Sequence, residues 1–470
     1  MRSDDLSFMT IDELQAAYRR HSLSPVEVMR AFLDRVDALN PTLNAYIEVF
    51  HDSAMACARA SEARYMSGLP VGLLEGIPVA IKDLLDIAGR TTTAGSTIHR
   101  GRTPASGTST VVSRLLAAGA LPIGKAQLVE FAYGGWGTNA GMGTPRNPWD
   151  MNRHRIPGGS SSGTGVAVAA GLATVGIGTD TGGSVRIPSS YCGLTGLKTT
   201  QGRISNHSVE MVSHTLDTIG PMTWCAKDAA LVLQAVHGPD PHDAATMRVG
   251  PENFLALDDR DFSGVRFCVD DPARWGSVSA EVAAAVMQAA GELVGLGGMR
   301  CDEAWHGLDF LADQQETGII ISSEAYLHRK AVLTKDAVPG DDASRARIMR
   351  GRSLTAEDYA RAMLRRRQGM ADVAELFRHI DILVLPTTPD PAPPLDRIDE
   401  ADLSPSRLTR FVGYYGLCAV SVPAGLSSEG MPIGVQFVAG PYQEALLLRV
   451  AGAFQRATGH HRRRPAVQSI

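Results

Sequence analysis

One of the few lysines of this sequence stands at the end of an apolar run. The run "GIPVAIKD", residues 76–83, alternates branched apolar residues with proline and alanine, and it closes on Lys82. That pattern is typical of a largely buried β-strand. Burial penalises the charged ammonium and lowers the pKa of a lysine, so Lys82 is a candidate base. The alternative is an ion pair between Lys82 and the next residue, Asp83, at the strand end.

Two segments rich in glycine and serine supply candidate nucleophiles. The first, "PGGSSSGTG", contains the G-x-S-x-G pattern of a nucleophile elbow, with Ser161 at its centre. An elbow must follow a strand, but the preceding "NPWDMNRHRIP" is polar and broken by prolines. The second, "TDTGGS", follows an apolar run, and its Ser184 comes after two glycines with unobstructed backbone N–H groups. This arrangement favours Ser184 as a nucleophile beside an oxyanion hole.

Other interpretations of these segments follow from their composition. A phosphate-binding Walker loop needs G-K-[ST], and here Gly163 is followed by Thr164. In "GIGTDTGG" the third glycine falls one residue late for a dinucleotide-binding motif. The serines at 160–162 could be ordinary turn residues, and Ser184 could cap a helix that begins at Val185.

Composition argues against several classes of protein. The net charge of −5 and the pI near 6.2 argue against a nucleic-acid partner or an anionic membrane surface. The start "MRSDDLSFMT" has no apolar segment of a signal peptide, and no apolar run reaches the roughly 18 residues of a membrane helix. Six scattered cysteines without a C-x-x-C pair favour reduced thiols over disulfides or a zinc site. We therefore expect a cytoplasmic protein.

Strand and helix signals alternate along most of the chain. Capping patterns at Thr10 and at Ser24-Pro25 open two N-terminal helices, the second running to Asn40-Pro41. Further helices are predicted at 108–118, 165–171, 226–236, 279–294, 307–330 and 355–379. Strands are predicted at 76–82, 121–124, 174–179, 265–270, 381–386, 419–423 and 433–439. The alternation predicts an α/β sheet with helices on both faces.

Three stretches of the sequence together resemble the amidase signature family. They are "GIPVAIKD", the long "PGGSSSGTGVAVAAGLATVGIGTDTGGSVRIPSSYCGLTGLKTTQGRIS" and the late "MPIGVQ", and weaker similarity covers nearly the whole chain. The resemblance implies one domain over 1–470 with a mixed, twisted central sheet flanked by helices. Its expected parts are N-terminal helices over 1–70, a signature core over 76–204 and a helix-rich cap over 307–400.

The resemblance also implies a Ser-Ser-Lys triad. By position, Ser184 is the nucleophile, Lys82 is the base, and Ser160 bridges them from a loop that the family holds with a cis peptide. Asp180 and Arg186, on either side of the nucleophile, are expected to form an ion pair that supports the loop. The expected oxyanion hole consists of the backbone N–H groups of Thr181, Gly182, Gly183 and Ser184. No metal or cofactor is expected.

One member of the family is the glutamine-hydrolysing component of the glutamyl-tRNA amidotransferase, which typically reads D-x-F-T-x-P-x-N-x-A-G-L-P near its end. Here the matching stretch is "SRLTRFVGYYGLC". In this stretch Ser406 replaces the acid that helps to hold glutamine, Gly413 replaces the asparagine and Cys418 replaces the last proline. The threonine of the motif is retained as Thr409. The sequence therefore favours a stand-alone hydrolase. The alternatives are a glutaminase subunit of the amidotransferase type and a non-catalytic assembly subunit.

The substrates that the family suggests are small amides. We expect a broad, moderately apolar specificity that includes anilides, aryl carbamates (urethanes) and some esters, in a monomer or homodimer. The stretch "EFAYGGWGTNAGMG", 130–143, is expected to line the acyl side of the site, and the cap to form the leaving-group side. The candidate substrate contacts are Tyr133, Gly134, Gly135, Trp136 and Met142.

Overall fold

Among the residues that the structure describes, eleven strands form one sheet that runs through the molecule. The computed structural model describes residues 6–69, 71–256, 262–301, 309–333 and 340–467. The strands in these ranges are β1 (Tyr46–Val49), β2 (Pro78–Lys82), β3 (Leu121–Ala126), β4 (Val175–Asp180), β5 (Thr195–Lys198), β6 (Thr218–Thr223), β7 (Arg266–Val269), β8 (Met299–Arg300), β9 (Ile382–Pro386), β10 (Cys418–Leu426) and β11 (Pro432–Ala439). They make one mixed sheet in the order β1-β3-β2-β4-β6-β5-β10-β11-β9-β7-β8.

Helices flank this sheet on both faces, as expected, and most of the buried apolar side chains form one continuous core in a single α/β domain. The α-helices of the described ranges are α1 (Ile11–Arg19), α2 (Pro25–Leu43), α3 (His51–Met66), α4 (Thr110–Ala117), α5 (Ser162–Ala169), α6 (Arg186–Cys192), α7 (Ala226–Val236), α8 (Ala280–Gly295), α9 (Phe310–Leu333), α10 (Asp342–Met349), α11 (Ala356–His379), α12 (Arg410–Tyr414) and α13 (Glu444–Thr458).

Most elements lie within a few residues of their predicted positions. The side chains of Thr10 and Ser24 cap α1 and α2, each in a complete capping box. Helix α2 does not stop at Pro41 but continues to Leu43, because a proline in the last turn removes only one backbone donor. The first two residues of the predicted 307–330 helix, 307 and 308, lie outside the described residues.

The sequence pattern missed four strands, namely β1, β5, β6 and β8. Strands β5 and β6 read "TGLK" and "TIGPMT", where glycine and proline weaken the strand signal. Both strands form hydrogen bonds with antiparallel neighbours on either side, and the local sequence does not predict this pairing. The N-terminal 1–70 region is therefore not only helical, because β1 pairs with β3 at the sheet edge.

The parallel pairing of β2 with β4 brings the candidate residues together. Val79, Ala80 and Ile81 of β2 lie in register with 175–177 of β4. The carboxyl ends of parallel neighbours meet at one edge of a sheet, where α/β proteins commonly build their sites. Lys82 is the last residue of β2, and the "TDTGGS" segment begins in the last two residues of β4.

Candidate active site

Lys82 is fully buried at the end of β2 and contacts two hydroxyl groups. Its Nζ lies 2.8 Å from Ser160 Oγ and 2.8 Å from Thr179 Oγ1. Burial lowers the pKa of Lys82 to about 7, although Asp217 and Asp180 favour the charged form in part. A large share of the amine is therefore neutral near pH 7 and able to take a proton from Ser160.

The predicted alternative, an ion pair between Lys82 and Asp83, is wrong. Asp83 Oδ1 instead lies 3.0 Å from the Nζ of Lys125, and both side chains are almost completely buried. The backbone N–H of Thr93 donates to the other carboxylate oxygen of Asp83 at 2.9 Å. Asp83 follows the last residue of β2, and its side chain has neighbours that differ from those of Lys82.

In the "PGGSSSGTG" loop, the hydroxyl of Ser160 contacts Lys82, whereas the hydroxyl of Ser161 has a different partner. The peptide bond between Gly159 and Ser160 is cis. The Ser161 hydroxyl is buried and donates to the carbonyl of Thr179 at 3.3 Å. The residues directly before the loop, 148–157, form turns, bends and one isolated bridge, so the strand-turn-helix of a nucleophile elbow is absent at Ser161.

Ser184 faces a recess in the protein surface. It is 9% exposed and lines a narrow cavity of about 30 Å³. The backbone N–H of Ser161 donates to the carbonyl of Ser184 at 3.3 Å, which joins the two serine-bearing loops. Helix α6 begins at Arg186, and its N-cap position is held by Val185 without a side-chain hydrogen bond, so Ser184 is not the helix cap.

The backbone of the "TDTGGS" loop supplies N–H donors beside Ser184, but one of the four groups expected in the oxyanion hole is not available. The N–H of Gly183 donates to Asp180 Oδ1 at 2.7 Å and is therefore not free to bind an oxyanion. The N–H groups of Thr181, Gly182 and Ser184 donate to no acceptor in the described part of the chain. Gly183 has a φ of +132°, and a Cβ there would lie 2.3 Å from Thr409 Oγ1, so only glycine fits.

A buried ion pair holds this loop. Arg186 Nε donates to Asp180 Oδ2 at 2.9 Å, and Nη2 donates to Oδ1 at 3.0 Å. Burial alone would raise the pKa of Asp180, but the charge and the hydrogen bonds of Arg186 lower this pKa below its ordinary value. Arg186 Nη1 donates to Gln436 Oε1 at 3.0 Å, which gives the late "MPIGVQ" motif a structural role. The amide of Gln436 in turn donates to the carbonyls of Pro386 and Leu408.

The acyl-side candidates separate into two groups. Tyr133, Gly134 and Gly135 line the cavity next to Ser184. Trp136 is not among the lining residues, because its indole N–H donates to the carbonyls of Asp399 and Asp402 and its ring packs in a separate small core. Met142 also lies outside this lining, so neither it nor Trp136 occupies the position expected of a pocket wall.

Several residues around the site carry no clear sequence signal. Thr179 contacts Lys82, although the sequence pattern indicates only the strand to which it belongs. Asp217, from the loop before β6, accepts a hydrogen bond from the Thr181 hydroxyl, and burial raises its pKa to about 6. Arg410 lines the cavity from the start of α12 but stands at a variable position of the motif, so the motif does not reveal it.

Neither a metal centre nor a membrane helix is found within the described ranges. No group of three or more His, Cys, Asp or Glu side chains there could hold a metal ion. No helix there combines the length and the apolar character needed to cross a bilayer.

Comparison with known proteins places the chain in a family. The family model described as Amidase matches residues 27–448. The chain therefore belongs to the amidase signature family, as its motifs suggested, and is an enzyme that acts on carbon–nitrogen bonds.

Its relatives include both amidotransferase components and amidases. The chain is 35% identical over 493 residues to the A component of the glutamyl-tRNA(Gln) amidotransferase of Geobacter metallireducens, covering 98% of this chain and 100% of the relative. It is 34% identical over 475 residues to the putative amidase AmiD of Mycobacterium tuberculosis, covering 99% and 97%. A solved structure from work on a vestigial protein complex and the origins of an s-triazine catabolic enzyme has a TM-score of 0.89 at 33% identity, covering 96% of this chain and 99% of that one.

Proposed function

We propose that this protein hydrolyses amides through an acyl-enzyme on Ser184, with Ser160 and Lys82 as a proton relay. The observation that carries the proposal is the 2.8 Å contact between the buried Nζ of Lys82 and Ser160 Oγ. A lysine whose pKa is about 7 can be neutral when the reaction starts and charged after it takes a proton. Ser160 lies next to Ser161, whose N–H bonds to the backbone of Ser184.

The relay gives each residue a defined task. Neutral Lys82 takes the Ser160 proton while Ser160 takes the Ser184 proton, and Ser184 Oγ attacks the amide carbonyl. The oxyanion that forms accepts hydrogen bonds from the free N–H groups of Thr181, Gly182 and Ser184. Lys82 then returns the proton through Ser160 to the leaving nitrogen, and the C–N bond breaks. Water hydrolyses the ester by the same route, so the scheme uses no metal or cofactor.

The proposal favours a stand-alone hydrolase over a component of an amidotransferase. Ser406, which stands where the amidotransferase motif has an acid, lines the Ser184 cavity. Its hydroxyl donates to the carbonyl of Leu403 and accepts from Arg410 Nε, so this position offers no negative charge to the ammonium group of glutamine. Because amidotransferase components are among the relatives, a glutaminase subunit is the second candidate.

The proposed substrates are small amides with a compact apolar acyl group, extended to anilides, aryl carbamates and some esters. Apolar side chains contribute much of the cavity around Ser184, namely Ala132, Ile187, Val212, Ile321 and Leu403. We assign the leaving-group side to the 307–400 region, because α9 supplies Ile321 and because the Ser322 and Tyr133 hydroxyls share a hydrogen bond. We assign the enzyme to the cytoplasm as a monomer or homodimer.

A serine-directed fluorophosphonate tests the chemistry. Intact-mass spectrometry should show one adduct on the native protein, none on Ser184→Ala and an adduct on the control Ser161→Ala. A panel of chromogenic anilides, esters and carbamates should be hydrolysed by the same protein. An adduct that persists in Ser184→Ala, or that disappears in Ser161→Ala, would refute the assignment of Ser184. The absence of any adduct on the native protein would favour a non-catalytic subunit.

A further inference from the structure

Arg410 is a buried cation placed over the proposed reaction site. It is the first residue of α12, is 5% exposed and lines the cavity that contains Ser184. Its side chain packs on the oxyanion loop, because a Cβ on Gly182 would lie only 3.1 Å from Arg410 Cγ. The guanidinium therefore sits within reach of a substrate whose carbonyl occupies that loop.

The hydrogen bonds of Arg410 leave part of its guanidinium unused. Nε donates to Ser406 Oγ at 3.0 Å, and Nη1 makes a long contact of 3.4 Å with the carbonyl of Gln314. Nη2 donates to no acceptor in the part of the chain that the structure describes. A guanidinium offers five donors and cannot be deprotonated in a protein, so its unused donors need an acceptor.

No carboxylate among the described residues forms an ion pair with Arg410. The acidic groups of the surrounding elements are engaged elsewhere: Asp313 accepts from the Tyr415 hydroxyl, Glu316 pairs with Arg365, Glu400 pairs with Arg347, and Asp402 accepts from the N–H of Ser404. After burial, Tyr133 has the largest effect on the pKa of Arg410, and Arg347 and Arg350, both positive, follow it. Burial and these like charges lower the pKa of Arg410, although Tyr133 works in the other direction.

A buried charge without a partner is costly and calls for a counter-ion. Space for one is present beside the Ser184 cavity. A second cavity of about 440 Å³ shares Tyr133, Leu403 and Arg410 with the first and continues outward to a rim where Arg350 and Asp402 are both exposed. A substrate held at Ser184 can extend into this chamber past the guanidinium.

We propose that Arg410 binds a carboxylate on the leaving-group side of the substrate, so that among the small amides proposed above the enzyme prefers those that carry one near the scissile bond. Arginine suits this task because its planar fork can donate two hydrogen bonds to one carboxylate. In this arrangement Arg410 is a specificity residue, and Arg350 adds a second positive charge at the mouth of the chamber. The inference rests on the proposed reaction at Ser184 for its catalytic meaning, but the binding itself does not require turnover.

The test compares anionic and neutral ligands of equal size. N-acetylglycine, N-acetyl-β-alanine and N-acetyl-4-aminobutyric acid carry the carboxylate on the leaving-group side at three distances from the amide, and their carboxamides are neutral isosteres. Calorimetry on Ser184→Ala should show one chain length at which the acid binds about 10- to 100-fold more tightly than its carboxamide. Adding Arg410→Gln should remove that difference, and Arg410→Lys should keep part of it.

Arg407→Gln is the matched control. Arg407 lies three residues earlier, donates to the carbonyl of Ser277 and is absent from the lining of both cavities, so its loss should leave the preference unchanged. Equal binding of acid and carboxamide at all three lengths, or a preference that survives in Arg410→Gln, would overturn the inference. An Arg410-dependent preference without turnover by the native protein would support it and would instead refute the proposed chemistry.

Discussion

The Nζ of Lys125 lies 3.0 Å from Asp83 Oδ1, so Asp83 pairs with a lysine from the neighbouring strand and not with the one next to it in sequence. Lys125 also donates to the carbonyl of Leu85 and to Thr92 Oγ1. This arrangement compensates Asp83 and leaves Lys82 to contact only hydroxyl oxygens. The base of the proposed relay thus lacks the adjacent carboxylate that would have kept it charged.

Removing Lys125 should destabilise the fold. Lys125→Met leaves the buried carboxylate of Asp83 unpaired, and we expect the free energy of unfolding to fall by about 3–5 kcal/mol. The control is Lys227→Met, which breaks the exposed pair with Asp12 and should cost at most about 1 kcal/mol. Urea denaturation followed by circular dichroism measures both, and equal losses would contradict a structural role for the buried pair.

The rate should rise with pH through the pKa of Lys82. Protonated Lys82 cannot take a proton from Ser160, so kcat/KM for a p-nitroanilide should increase as pH passes about 7 and level off above it. EDTA should leave this profile unchanged. A profile that falls over the same range, or activity lost in EDTA and restored by zinc, would be incompatible with a lysine base.

Thr179 should tune that profile. Its Oγ1 lies 2.8 Å from Lys82 Nζ and accepts a hydrogen bond from the charged ammonium. Thr179→Val keeps the shape but removes the acceptor, which disfavours the charged form and should move the acid limb of kcat/KM to lower pH by about one unit. A limb that does not move would mean that the hydroxyl does not stabilise the ammonium. Ser161→Ala, which alters a nearby buried hydroxyl without contact to Lys82, should leave the limb in place.

Lys82 should matter more for amides than for activated esters. An amide nitrogen must be protonated as it leaves, whereas a p-nitrophenolate leaves without such help. Lys82→Ala should therefore slow both reactions and slow the amide more, with general acid–base help worth about 10²–10⁴-fold per step. The measurement is kcat/KM for an anilide and an ester that share one acyl group, with circular dichroism to confirm folding. Equal losses would show that Lys82 does not return the proton.

The purified protein should act without a partner protein. Because Ser406 replaces the acid of the amidotransferase motif, simple amides should be hydrolysed by the isolated chain, and glutamine should be a poor substrate. Ser406→Asp is a useful companion variant, since an acid at this place should also compensate Arg410 and weaken binding of anionic amides. Glutaminase activity that appears only when a partner protein is added would overturn the stand-alone assignment.

The sequence by itself determined the elements and the chemistry-bearing residues that local patterns encode. Alternating apolar residues located β2 and β4, and capping boxes at Thr10 and Ser24 located the first helices, because these signals depend on neighbours within a few positions. The long glycine-rich motif also identified the family, which its model match confirms. The weakly patterned β5 and β6 could not be found this way, since their partners lie on other strands.

Tertiary structure alone decided which residues contact each other at the site. Lys82 contacts Ser160 and Thr179, which lie 78 and 97 positions away in the sequence. Arg186 contacts Gln436, which lies 250 positions away. Asp83 forms an ion pair with Lys125 because β2 and β3 are neighbours in the sheet. Arg410 stands at a variable position of a motif, and only the packing of α12 over Gly182 reveals it as a buried cation without a carboxylate among the described residues. Burial and charge compensation depend on the whole surroundings of a side chain, and no local pattern carries that information.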